Sequence, residues 1–174
     1  MAYAYYNRLT RAQQRIYRQS DAVTSVPLPG TASLRPLVAE LTEALASGER
    51  LRTQAATLGL LASLSGHLGV SPLRAGVLAT RPARRWGELH GLYTPPRQGR
   101  PARVTLWMRT ARRQRVVAFR TFLRTLLHEL CHHLDYERLG LADSFHTEGF
   151  YKRESSLFHQ LMGSPVPPEV AENA

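Results

Sequence analysis

His128-Glu129-Leu130-Cys131-His132 sets two imidazoles four residues apart, with a carboxylate beside the first. On a helix, positions i and i+4 lie one above the other, so His128 and His132 can offer two nitrogens to one zinc ion while Glu129 reaches a water held there. That is hydrolytic chemistry, in which zinc acidifies the water and the glutamate takes its proton. The competing reading is a polar helix face that carries two histidines by chance, and the surrounding register weighs against it.

That register predicts a helix over 112–139. Phe119, Phe122, Leu123, Leu126, Leu127, Leu130 and Leu134 recur at three- and four-residue steps and form one apolar stripe. At roughly 100° per residue, His128 and His132 fall on the opposite side from the stripe, with Asp135 next to them. One face is then available to a core and the other to a cleft. Cys131 lies to the side and reads as a small hydrophobe. His133, at the edge of the stripe, reads as a satisfied core or boundary histidine.

A catalytic zinc keeps three protein ligands and an open position, so a third ligand must come from elsewhere. The spacing H-E-x-x-H-x-x-G-x-x-H would need glycine at 135 and histidine at 138, and Asp135 and Arg138 exclude it. Gly140 is a helix stop, and 147–161 reads as another amphipathic helix. His146 stands at its threshold, where a loop-to-helix junction can fold back across the first helix. It is the first choice, and Glu154, one or two turns into the second helix, is the alternative. His159 and Glu148 read as surface or packing residues, unless Glu148 orients a ligand.

From His128 to Phe150 the chain resembles the SprT-like zinc metalloproteases and their bacterial YgjP-type relatives, in which H-E-x-x-H is followed by His-x-x-x-Phe, here His146 and Phe150. Arg85-Trp86-Gly87 resembles the Arg-Trp-Gly those families place upstream, and Val104-Thr105-Leu106 resembles their next strand. The likeness covers roughly residues 70–162. It implies zinc held by His128, His132 and His146, with Glu129 as general base. The chain departs from the pattern with Glu88 and Leu89 after Arg-Trp-Gly. Its one cysteine cannot build the cysteine-rich ribbon that some members carry.

The chain has 174 residues, 43% of them apolar, which suits one domain with a full core and room for a helical extension. No apolar run reaches the ~20 residues that span a bilayer, and no secretory signal opens the chain. With a single cysteine, these features lead to the expectation of a cytoplasmic protein without membrane partners. The formal net charge of +10 is uneven: residues 81–124 hold twelve arginines against Glu88 alone. Such a block is a candidate DNA contact. The plainer reading is compositional, since 22 of the 23 basic residues are arginine, as a GC-rich genome would produce. Arg112, Arg113 and Arg115 would sit at a helix N-terminus, where the dipole disfavours them.

Short helices are expected over 9–19, 33–47 (with Pro36 in the first turn) and 49–68, and strands over 73–80, 87–93 and 103–109, the last two joined as a long hairpin through 94–101. His90 and Tyr93 are candidates to stabilise an oxyanion, although a structural or surface role suits each better. Tyr136 and Tyr151 stand equally open. Trp86 and Trp107 are expected in the core. The expectation is an α+β, zincin-like metalloprotease domain over 70–162, in which a small, mainly antiparallel sheet packs on the active-site helix. An N-terminal helical region, 1–69, precedes it and a fraying tail, 163–174, follows. The expected function is zinc-dependent peptide-bond hydrolysis on protein or peptide substrates, DNA-associated ones among the candidates. The alternative is a nucleic-acid-binding or scaffold protein that keeps the zinc fold with little catalysis. A zinc hydrolase acting on something other than peptides is a third reading.

Overall fold

Alternation along the strands decides which way the sheet faces. In the computed structural model, which describes residues 3–84 and 87–163, β5 (Arg103–Arg109) buries Val104, Leu106 and Met108 on one face. Val77 of β1 (Arg74–Thr80) lies beside Leu106, and Tyr93 of β4 (Gly91–Thr94) lies beside Val104. These residues continue one apolar surface across three strands, as a period of two requires. The strand order is β1-β5-β4.

The sheet is mixed, which corrects the expectation of a mainly antiparallel one. β4 and β5 form the expected antiparallel hairpin, but β5 inserts between β4 and β1 and runs parallel to β1. The central place suits β5, whose Leu106, Trp107 and Met108 are all buried. The expected strand over 87–93 also divides. Ala83–Arg84 (β2) and Gly87–Glu88 (β3) form a separate two-stranded hairpin, and only Gly91–Thr94 joins the main sheet. Arg85 and Trp86 lie outside the described residues, as do 164–174, which hold almost all of the expected tail.

Helix α1 spans Arg11–Ala22, opened by a capping box in which Thr10 and Gln13 satisfy each other's backbone N–H groups. A short 3-10 helix, Ala4–Arg8, precedes it. Helices α2 (Thr31–Ala46) and α3 (Arg50–Leu68) pack as a hairpin around Gly48, whose φ of +70° suits the reversal. Because α2 starts at Thr31 and not Ser33, Pro36 falls in its second turn. Leu34, Leu41 and Leu45 of α2 and Leu60, Leu61 and Leu64 of α3 share one cluster with Leu106, Leu126, Leu130 and Leu157. The N-terminal helices therefore build the same core as the rest of the chain. Among the described residues no helix is long and apolar enough to cross a membrane.

Helix α4 (Phe119–Glu137) begins later than its register suggested. Arg112, Arg113 and Arg115 lie in a turn that returns the chain to the sheet, where Arg109 bridges Val116 and the Val117 N–H donates to the Met108 carbonyl at 2.9 Å. Gln114 takes a φ of +53° in that turn, which a continuing helix would not allow. The arginines thus escape the unfavourable helix N-terminus. Helix α5 (Glu148–Met162) packs against α4, and Thr147 caps it by accepting the Phe150 N–H at 2.9 Å.

Candidate metal centre

On α4 the apolar stripe is buried, with Leu123, Leu126, Leu127, Leu130 and Leu134 at 0% exposure, and His128 and His132 emerge on the other side. His146 arrives from the residue before the α5 cap. Its Nε2 lies 3.0 Å from His128 Nε2 and 3.1 Å from His132 Nε2. Two nitrogens bound tetrahedrally to one zinc at about 2.0–2.1 Å stand roughly 3.3 Å apart, so this spacing is close to that of a ligand set. Among the described residues this is the one histidine, cysteine or carboxylate cluster that could hold a metal ion.

The outer ring nitrogens fix which lone pairs face inward. His128 Nδ1 lies 3.1 Å from Glu154 Oε2, a carboxylate that only accepts, so the proton sits on Nδ1. His132 Nδ1 lies 2.7 Å from Ser144 Oγ, and that hydroxyl donates to Asp135 Oδ2 at 2.6 Å. Ser144 must then accept from His132 Nδ1–H. Both Nε2 atoms are left as lone pairs aimed at one point together with His146 Nε2. One proton could satisfy only part of such a set, whereas a cation satisfies all of it. Desolvation and the neighbouring imidazoles push His132 down to about 3, and desolvation and His128 lower His146, which favours the neutral form of these two rings.

The partners extend inward. Arg153, fully buried on α5, donates to Asp135 Oδ1 at 2.7 Å and to the carbonyls of Ser20, in the last turn of α1, and Val23, the residue that follows the helix. Burial pushes the Asp135 carboxyl up, and the Arg153 guanidinium and the Ser144 hydroxyl act against that. Asp21 caps α5 by accepting the Gly149 N–H at 2.8 Å. A side chain at Gly149 would collide with the Asp21 backbone, with its Cβ only 2.7 Å from the carbonyl carbon. From the N-terminal 3-10 helix, Tyr5 donates its hydroxyl proton to the His146 carbonyl at 2.9 Å. The ring of Phe150, at 0% exposure, underlies all three histidines, with centroids 5.0, 4.8 and 5.2 Å from those of His128, His132 and His146.

Glu129 lies in the same cleft, 6% exposed, beneath strand β4. Burial raises its carboxyl to about 7, opposed by His128 and by a hydrogen bond from the Tyr93 backbone N–H. The strand comes this close because residue 91 is glycine. A Cβ there would overlap the Glu129 carboxylate and stand 2.7 Å from Thr125 Cγ2. The cleft holds about 680 Å³ and is walled by 89–93 and Pro95 on one side and by α4, Ser144, His146 and Glu154 on the other.

Other expected residues take distinct places. Glu154, the alternative third ligand, instead holds the outer nitrogen of His128, with Arg124 at 3.6 Å. His133 is buried and donates from Nε2 to the Ser71 carbonyl at 2.9 Å, while its Nδ1 accepts from the Tyr93 hydroxyl at 3.1 Å. That bond turns the Tyr93 hydroxyl to His133, and the ring stacks on His132 and Tyr136. His90 and Tyr136 line the cleft. Tyr151 stacks on His146, with centroids 5.8 Å apart. His159 Nδ1 bonds the Ser155 carbonyl within α5, Glu148 pairs with Lys152 at 3.1 Å, and Cys131 and Trp107 are buried.

Asp135 was visible in the sequence as a neighbour of His132 on the helix face, but its partners were not. Ser144, Arg153, Gly91 and Tyr5 approach from distant segments, with no local pattern to mark them. Comparison with family models, with curated proteins and with solved structures finds nothing that matches this chain, so the chemistry of the centre is argued from its own geometry.

Proposed function

We propose that the protein is a zinc-dependent metallopeptidase of the SprT-like kind, with His128, His132 and His146 holding the metal and Glu129 as general base. One observation carries the reading: three imidazole Nε2 atoms converge in a cleft, with a buried carboxylate on the same helix as two of them. The all-imidazole donor set suits zinc. When bound, zinc would supply Lewis acidity, polarising a carbonyl and lowering the pKa of water.

The chain's own residues supply the rest. A carboxyl held near 7 can accept a proton and later release it to a leaving amine, which is the matching general acid–base work requires. β4 is the sheet edge beside the cleft. Apart from the Tyr93 N–H, which Glu129 holds, its outer backbone groups can pair with an extended peptide with little demand on side-chain identity. Glu154 and Ser144 orient the two helical imidazoles, and Tyr5 steadies the backbone of the third.

Metal analysis of the purified protein and a peptidase assay on unfolded proteins test the reading. Wild type is expected to carry about one zinc per chain. Glu129→Gln should keep that zinc and lose turnover by about 10²–10⁴-fold. Equal turnover in the two proteins would end the proposal.

A further inference from the structure

Among the described residues, the arginines of the 81–124 block do not form one surface. Arg109 donates to the Gln114 and Gly48 carbonyls, and Arg120 and Arg124 lie over the Phe158 ring, so these three have structural partners. Arg112, Arg113 and Arg115 sit in the turn after β5, at the opposite end of that strand from Arg103. At the Arg103 end, Arg74, Arg97, Arg100 and Arg103 line a groove of about 670 Å³, with Pro95 and Pro101 among its apolar members.

The pairing of these four is costly unless an anion joins them. Arg74 and Arg103 are direct partners across β1 and β5. Arg97 and Arg100 are direct partners across the hairpin, exchanging N–H···O bonds of 3.1 and 2.9 Å around Gln98 and Gly99, which both take positive φ. Like charges directly opposite one another destabilise a strand pair. Here two such pairs face one concavity. Among the described residues none of the four guanidiniums is in an ion pair. Glycine at 76 also lets the Arg103 guanidinium approach β1 closely, since a Cβ there would overlap its Nη2 and meet its Cζ at 3.2 Å. A local rule broken twice at one site is the mark of a functional surface.

We infer that this groove receives an acidic segment of the polypeptide substrate, several residues from the bond to be cut, and so selects substrates with carboxylate-rich flanks. This rests on the peptidase reading of the cleft. The cleft and the groove share Pro95, at the end of the open strand β4, so an extended chain leaving the cleft along that strand enters the groove next. A phosphodiester backbone would call for a continuous basic track, and the fold breaks the track by sending Arg112, Arg113 and Arg115 to the far end of the sheet. Guanidiniums in a concave site form forked hydrogen bonds to carboxylates, which suits short acidic runs.

The test uses the full chain with Glu129→Gln, so that the probe is not cut, and two fluorescein peptides that share a neutral core and differ only in a flank of four glutamates or four glutamines. Anisotropy should show the glutamate peptide binding about tenfold more tightly. Adding Arg97→Gln and Arg100→Gln should remove that preference while zinc content stays constant, and Arg74→Gln should weaken it independently. In the wild-type enzyme the glutamate flank should raise kcat/KM. Equal binding of the two peptides overturns the inference. So does a single-stranded oligonucleotide of equal charge that binds more tightly and displaces the glutamate peptide, which would make the groove a nucleic-acid site. Glutamate-dependent binding with no turnover of any peptide keeps the groove as an acidic-segment site and removes the peptidase reading instead.

Discussion

Arg153 donates to Asp135 at 2.7 Å with both side chains at 0% exposure, and this pair ties the C-terminal end of α1 to the His132 imidazole. From Asp135 the chain of contacts runs through Ser144 to His132. A buried charge pair in this position has two separable roles: it compensates two ions that would otherwise be buried unpaired, and it sets the orientation of a ring.

Those roles predict different outcomes for neighbouring substitutions. Arg153→Met leaves Asp135 uncompensated in the interior and should cost about 3–5 kcal/mol of stability, read from urea unfolding. Ser144→Ala removes the hydroxyl that joins Asp135 to His132 and leaves the Arg153–Asp135 pair in place. It should weaken zinc binding by about 10–100-fold in a competition titration, while stability falls by about 1 kcal/mol. If Ser144→Ala binds zinc as wild type does, His132 is oriented by something else.

The third ligand can be separated from its competitor. His146→Ala is expected to lose bound zinc after dialysis, and Glu154→Ala to retain it with affinity lower by about tenfold, because Glu154 only holds the outer nitrogen of His128. Elemental analysis of the two variants decides the matter. Full zinc in His146→Ala together with loss in Glu154→Ala would reverse the assignment.

Strand β4 and Glu129 are in contact through a missing side chain. Gly91→Ala would push β4 away from Glu129 and Thr125, with an expected stability loss of about 1–3 kcal/mol from overpacking. Zinc should remain bound, since the atoms nearest a Cβ at that position belong to Glu129 and Thr125. Turnover should fall more than zinc occupancy does. A variant as active as wild type would show that the strand can shift without disturbing the base.

Metal removal should be visible in stability as well as activity. A ligand present at about 100 times its Kd adds about 2.7 kcal/mol to the folded state, which for a chain of this size is a shift of roughly 5–10 °C. Chelation is therefore expected to lower the unfolding temperature by about that amount, and added zinc to restore it. A thermal midpoint unchanged by chelator and by added zinc would mean that the three histidines hold no metal in solution.

The two helical histidines, Glu129 and the apolar stripe beneath them were legible in the sequence because a helix converts spacing into direction without help from the rest of the chain. The amphipathic pattern over 147–161 likewise placed α5, with His146 at its threshold. Strand positions 103–109 were legible from alternation, yet their neighbours were not, since a period of two says which face is buried and nothing about which strand lies alongside. The insertion of β5 beside β1 is a tertiary outcome, favoured because its buried residues gain a strand on each side.

The same limit governs the centre. Local pattern could rank His146 and Glu154 as ligand candidates, but both lie on or beside one helix, and only its packing angle against α4 decides which reaches the shared point. Ser144, Arg153, Gly91 and Tyr5 act through contacts between segments 9 to 141 residues apart, and no local spacing encodes such approaches. Charge behaved similarly. The arginines were countable from the sequence, and the fold then assigned Arg109, Arg120 and Arg124 to structural partners, set Arg112, Arg113 and Arg115 at one end of the sheet, and gathered Arg97, Arg100 and Arg103 with the distant Arg74 at the other. Composition fixes how much charge a chain carries; the path of the backbone decides where it converges.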